Sequence, residues 1–138
     1  MSIQVEILDG PLPADGGAWS YPGAGAVVGF DGVVRPQEGE GEIDGLRYQA
    51  YQPMAERELA RLARAIVERF GVLAVRVAHS RGFVPAAGCS FRLRIAAAHR
   101  KEAIWAMDWF IDQLKRDVPI WKSAVDAVER AGAGQASQ

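Results

Sequence analysis

The sequence predicts a compact, single-domain α+β sandwich, and three observations carry that prediction. Two segments, 53–70 and 99–117, show the three-and-four spacing of apolar residues expected of amphipathic helices. Several shorter stretches alternate or are rich in β-branched residues, the pattern of strands. Their order is roughly βββαββα with no internal repeat, and 138 residues suffice for one domain with a real core.

Each element has its own justification. SIQVEIL alternates as a short strand and gives way to DGPLPADGG, a Gly/Pro-rich loop. In GAGAVVGFDGVVR the valines and Phe30 favour a strand, while the glycines predict bends, a bulge or close backbone approach. PQEGEGEIDG reads as a polar, mobile loop before the strand LRYQAY. Pro53 suits the first turn of a helix, where its missing N–H costs little. From there Ala55, Leu59, Leu62, Ile66 and Phe70 mark a buried stripe, and Gly71 is the stop. LAVRVAHS and CSFRLRIAA read as strands joined by the turn-rich RGFVPAAG. The second helix runs from about His99 to Asp117. Its expected stripe is Ile104, Met107, Ile111, Leu114 and Val118, and Pro119 closes it. The domain is expected to span 1–125, with 126–138 as a flexible tail.

The totals exclude several classes. Residues are 49% hydrophobic and 24% charged, as in ordinary globular proteins, and the formal charge of −1 argues against a general nucleic-acid binder. A single cysteine, Cys89, allows no intramolecular disulfide and no thiolate zinc cluster, and two histidines make a dedicated metal site unexpected. No resident cofactor is expected. The start MSIQVEILDG does not read as a signal peptide, and no apolar run approaches the ~20 residues of a membrane span. The cytoplasm is the expected location.

What stands out is the placement of basic groups. His99 and Arg100 open the second helix, where free N–H groups and the positive dipole end already favour an anion. Lys115 and Arg116 lie in its last turn, where cations suit the dipole, and Lys122 follows Pro119 and Trp121. If the Trp121 ring packs on the core, Lys122 becomes an oriented amine. Arg35 ends the GFDGVVR strand, where its guanidinium can fork onto a phosphate. Each of these also has an ordinary reading as a surface charge. A straight helix holds Arg100 and Lys115 about 22 Å apart, so one small substrate reaches both only if two copies share a site. Cys89 opens an apolar strand without a second cysteine and reads as a packed small residue, and His79 reads as structural. GAGAVVG does not open a helix, so no dinucleotide loop is indicated.

Four pieces in order, GAVVGFDGVVR, YQAYQPMAERELARLA, AAAHRKEAIWAMDWFIDQLK and VPIWKS, resemble the large, catalytic subunit of molybdopterin synthase across Gly25 to Ser123. The resemblance implies an α/β hammerhead-type fold with an additional antiparallel β-sheet. It implies sulfur transfer to cyclic pyranopterin monophosphate from the C-terminal Gly-Gly thiocarboxylate of a small ubiquitin-like subunit. The implied assembly is a homodimer within a heterotetramer, with neither nucleic acid nor membrane as a partner. Lys115 and Lys122 match the family's active-site lysines. Val33, Val34 and Arg35 match a substrate-contacting strand end, and His99 and Arg100 a substrate-binding pair. Ser123 and Ala124 complete the substrate-binding positions, where the family carries a charged pair after the final lysine. The alternative function is a non-catalytic, dimeric module that binds the carrier protein or a pterin phosphate.

Overall fold

The computed structural model of the chain describes residues 2–15, 19–39 and 41–126. Nine elements follow one another: β1 (Ser2–Asp9), β2 (Ala26–Val33), β3 (Gln37–Glu38), β4 (Gly41–Ala50), α1 (Met54–Phe70), β5 (Ala74–Pro85), β6 (Cys89–Ala97), α2 (Arg100–Asp117) and β7 (Ile120–Asp126). The architecture is α+β, with both helices in a single domain and a seven-stranded, largely antiparallel sheet. Strands run β2-β6-β5-β4-β3 along the main path; β1 joins β5 in parallel and β7 joins β4.

The first helix follows its sequence closely. Ala55, Leu59, Leu62 and Ile66 are fully buried, together with Ala63. Gly71 ends the helix in the left-handed conformation (φ 70°), where an L side chain is strained, and its N–H reaches the Val67 carbonyl. Against this stripe pack Val75 and Val77 of β5, Leu93 and Ile95 of β6, and Phe110 of α2. Burying each large side chain contributes about 1.5–3 kcal/mol.

Three expectations are corrected. The segment 36–45 is not a free loop: Gln37–Glu38 pair with Gly41–Glu42 as a tight hairpin, and β4 begins at Gly41. The chain past Pro119 forms β7, antiparallel to β4 from Ile120↔Ala50 to Asp126↔Ile43, so the order is ββββαββαβ. Its side chains show no apolar alternation, and pairing with β4 is what makes it a strand. In α2 the fully buried residues are Ala103, Ala106 and Phe110; of the expected stripe Met107, Ile111 and Leu114 pack against the core and Val118 is buried, but Ile104 is 53% exposed. The two alanines let the helix approach closely, and this turns the larger Ile104 and Trp105 outward. The tail expected at 126–138 lies outside the described residues except for Asp126 in β7.

The glycine-rich β2 carries the expected irregularity. Its register with β6 shifts between Gly32 and Val33, a bulge that re-aims the strand end just before Arg35. No helix among the described residues is long and apolar enough to cross a membrane.

Candidate active site

The residues at the end of β2 are held in place by a turn. The Val34 N–H donates to the Gly88 carbonyl (2.9 Å), and the Ala87 N–H donates back to the Val34 carbonyl (2.7 Å). That turn needs Ala87 at φ 73° and a glycine at 88, where a Cβ would lie 2.9 Å from the Pro85 oxygen. Two backbone bonds thus fix Val34, and Arg35 leaves the sheet from a rigid point. With its N–H already donating to Gly88, Val34 has no backbone donor left for a ligand.

Arg35 stands on the wall of a cavity of about 670 Å³. Lys115, from the last turn of α2, and Lys122, from β7, line the same space. Pro119 ends the helix and the chain reverses into β7, with the Tyr51 N–H donating to the Pro119 carbonyl (3.0 Å). This reversal, not the ring of Trp121, aims Lys122: Ile120 and Lys122 face the cavity, and Trp121 is exposed on the other side. Val33 and Val34 also line the cavity, and the carboxylates of Asp31 and Glu38 stand at its wall. Asp31 is paired with Arg92 (3.0 Å) and Arg94 (3.1 Å).

Three further polar residues come from three different strands. Tyr48 of β4 donates its hydroxyl to Ser90 Oγ of β6 (2.9 Å). His79 of β5 lies against Tyr48, with ring centroids 5.2 Å apart and edge to face, and against Phe91 at 5.9 Å. Its Nδ1 is 2.8 Å from the Ser80 carbonyl, which can only accept, so Nδ1 carries the proton and Nε2 the lone pair. Burial pushes His79 below the usual histidine range and Tyr48 above the usual phenol range. The sequence reading made His79 structural and did not bring Tyr48 or Ser90 to the site. Only the register of β4, β5 and β6 does that.

The remaining expected residues lie elsewhere. His99 is the N-cap of α2, its side chain 81% exposed and Nδ1 3.5 Å from Glu102 Oε1. Neither His99 nor Arg100 lines the cavity. Ser123 and Ala124 pair with Arg47 and Leu46 and also lie off its wall. Cys89 donates to the Phe91 carbonyl (3.4 Å), and burial pushes its thiol up, away from thiolate chemistry. Among the described residues no three His, Cys, Asp or Glu side chains gather to hold a metal.

The family model described as MoaE protein matches residues 13–117, from the loop after β1 to the end of α2. The chain belongs to the MoaE protein family. A molybdopterin synthase catalytic subunit of Thermoplasma volcanium is 37% identical over 101 residues, 73% of this chain and 74% of that one. The chain spans about half the length of the plant and mammalian catalytic subunits it matches, 52% to 55% of each. The molybdopterin synthase of Staphylococcus aureus, known from an X-ray crystal structure, superposes with a TM-score of 0.73 at 33% identity, over 77% of both chains. The complex of subunits 1 and 2 of molybdopterin-converting factor from Helicobacter pylori aligns with a TM-score of 0.70 at 25% identity, over 91% of both. Lys115 falls within the MoaE match, whereas Lys122 lies beyond it on β7.

Proposed function

We propose that this chain is the catalytic subunit of a molybdopterin synthase. It converts cyclic pyranopterin monophosphate to molybdopterin with sulfur from the C-terminal thiocarboxylate of a small ubiquitin-like subunit. The observation that carries this reading is the convergence of Arg35, Lys115 and Lys122 on one cavity in a chain of the MoaE family. A cavity of about 670 Å³ is of the size that holds a small molecule with most of its surface covered.

The chemistry asks for cations at several points. Arg35 pairs with the substrate phosphate through its fork of donors. Lys115 and Lys122 stabilise the negative charge that develops on the tetrahedral adduct and on the departing carboxylate. Val33 and Val34 form the wall on which the substrate rests, while Ser123 and Ala124 follow Lys122 along β7, off that wall. His99 and Arg100 act from a second copy of the chain, because α2 holds them about 22 Å from Lys115. The working unit is then a homodimer that carries two small subunits. The reaction belongs in the cytoplasm, where a lone free thiol such as Cys89 is at home.

The test is reconstitution. The purified chain, a thiocarboxylated small subunit and cyclic pyranopterin monophosphate are expected to yield a dithiolene-bearing pterin. A stable complex with the small subunit and no product would instead make the chain a binding module, and Ser123 and Ala124, in place of a charged pair, would be the first residues to revert.

A further inference from the structure

The cavity has two chemically distinct parts, and the cationic one does not complete the reaction. Once the thiocarboxylate sulfur has bonded to the substrate carbon, the small subunit is joined to the substrate through an acyl–sulfur link. Release needs water. The water oxygen bonds to the acyl carbon, the acyl C–S bond breaks and sulfur stays on the substrate as thiolate. The small subunit leaves as its carboxylate, and two protons leave the water. No electron changes hands. Ammonium and guanidinium groups stabilise the charges in this step, but they have no lone pair with which to take the first proton.

On the geometry above, we propose that His79 is the general base for this hydrolysis, taking the proton of the attacking water on Nε2. The inference rests on the sulfurtransferase reading. His79 lines the same cavity as Lys115 and Lys122, and it is 6% exposed, held within a wall of the site. Its tautomer is set by the backbone: Nδ1–H is tied to the Ser80 carbonyl, which leaves Nε2 as the acceptor. Its ring is held from two strands, edge-on to Tyr48 and against Phe91, so the lone pair has one direction. Tyr48 is itself fixed by its bond to Ser90, which keeps the phenol from competing for the imidazole nitrogen. The charged groups lining the cavity are Asp31 of β2, Arg35 after it, Glu38 of β3, Lys115 of α2 and Lys122 of β7. Asp31 is already paired with Arg92 and Arg94, so among the rest three cations face one carboxylate. The cations favour neutral imidazole in the resting site, which is the form a base requires.

A single-turnover experiment on the complete complex tests this, with intact-mass detection of the small subunit after rapid quenching. The wild-type complex is expected to form product without accumulating the covalent adduct. His79→Gln keeps the hydrogen-bonding shape without the base, so adduct should form normally and decay about 100-fold more slowly, within the range general-base catalysis supplies. Decay at the wild-type rate in His79→Gln overturns the assignment. If that variant fails to fold, the wild-type pH profile decides. A base below the usual histidine value of 6.5 gives adduct decay that is flat from pH 8 to pH 6.5. A rate that climbs steadily across that range assigns the proton to a lysine instead. Absence of both adduct and product from the wild-type complex overturns the sulfurtransferase reading, and this one with it.

Discussion

The two ends of α2 carry the same kind of side chain in opposite settings. At the C-terminal end, Lys115 opens onto a cavity whose other walls come from β2, β3, β4, β5, β6 and β7. At the N-terminal end, His99 and Arg100 project from the surface, followed one turn later by Ile104 and Trp105, 53% and 59% exposed. Cations at the first end suit the helix dipole and need no other explanation; cations at the second oppose it and gain only if an anion arrives. The comparison teaches that residue type alone does not locate a site. One end has a built concave surface, and the other has chemistry and exposed apolar area waiting for something to cover it.

The sharpest way to break the comparison is Lys115→Ala. If the C-terminal end is the reaction centre, turnover should fall at least 100-fold, the scale of losing one preorganised charge at a transition state, while small-subunit binding and thermal midpoint stay near wild type. Steady-state assay beside calorimetry separates these outcomes. Next in size is Phe110→Ala. This ring is fully buried midway along α2 and stacks on Phe91 at 6.4 Å. Its loss should cost about 3–5 kcal/mol in chemical denaturation, and it should damage both ends together because it loosens the helix between them. Arg100→Ala should act differently from Lys115→Ala. KM for the phosphorylated substrate should rise about tenfold with little change in kcat, as for a lost charge-assisted contact made in both ground and transition states.

The smallest expected effect concerns pH. Burial lowers the folded-state pKa of His79 from 6.5, so the unfolded chain binds more protons as the solution turns acid. Its contribution to stability is complete above 6.5 and is lost as pH falls through the lower, folded value. Asp9 and Asp15, held down by Arg81 and Arg94, lose theirs only below 3.8. Thermal midpoints should therefore soften below 6.5, and that part of the curve should flatten in His79→Gln.

How much of this was legible in the sequence differs along the chain. The first helix was readable to its last turn because its apolar spacing, its proline start and Gly71 all point the same way. The cations were readable as residue types, and the last-turn position of Lys115 followed from Pro119. The strand β7 was not, because Trp121, Ser123 and Val125 alternate with Ile120, Lys122 and Ala124 without an apolar face, so only pairing with β4 reveals it. The orientation of α2 turned on two alanines, Ala103 and Ala106, whose small size matters more for close packing than their hydrophobicity suggests. The wall formed by Tyr48, His79 and Ser90 was beyond any local pattern. His79 sits opposite Phe91 in the β5–β6 register, and Tyr48 meets Ser90 across 42 residues of sequence.

The claim that joins the two ends is that one active site takes Lys115 from one copy and His99 and Arg100 from the next. Subunit complementation tests it directly, using Lys115→Ala and Arg100→Ala chains that are each purified, weakened, and then mixed and allowed to exchange. In a mixed dimer one site carries both lesions and the other carries none, so random mixing should restore about a quarter of wild-type sites. At substrate far below KM, where the Arg100→Ala parent is also weakened, activity that rises to that level over either parent is the predicted result. A mixture no more active than the average of its parents would place both ends of α2 in the service of separate sites, and the shared-site account would be wrong.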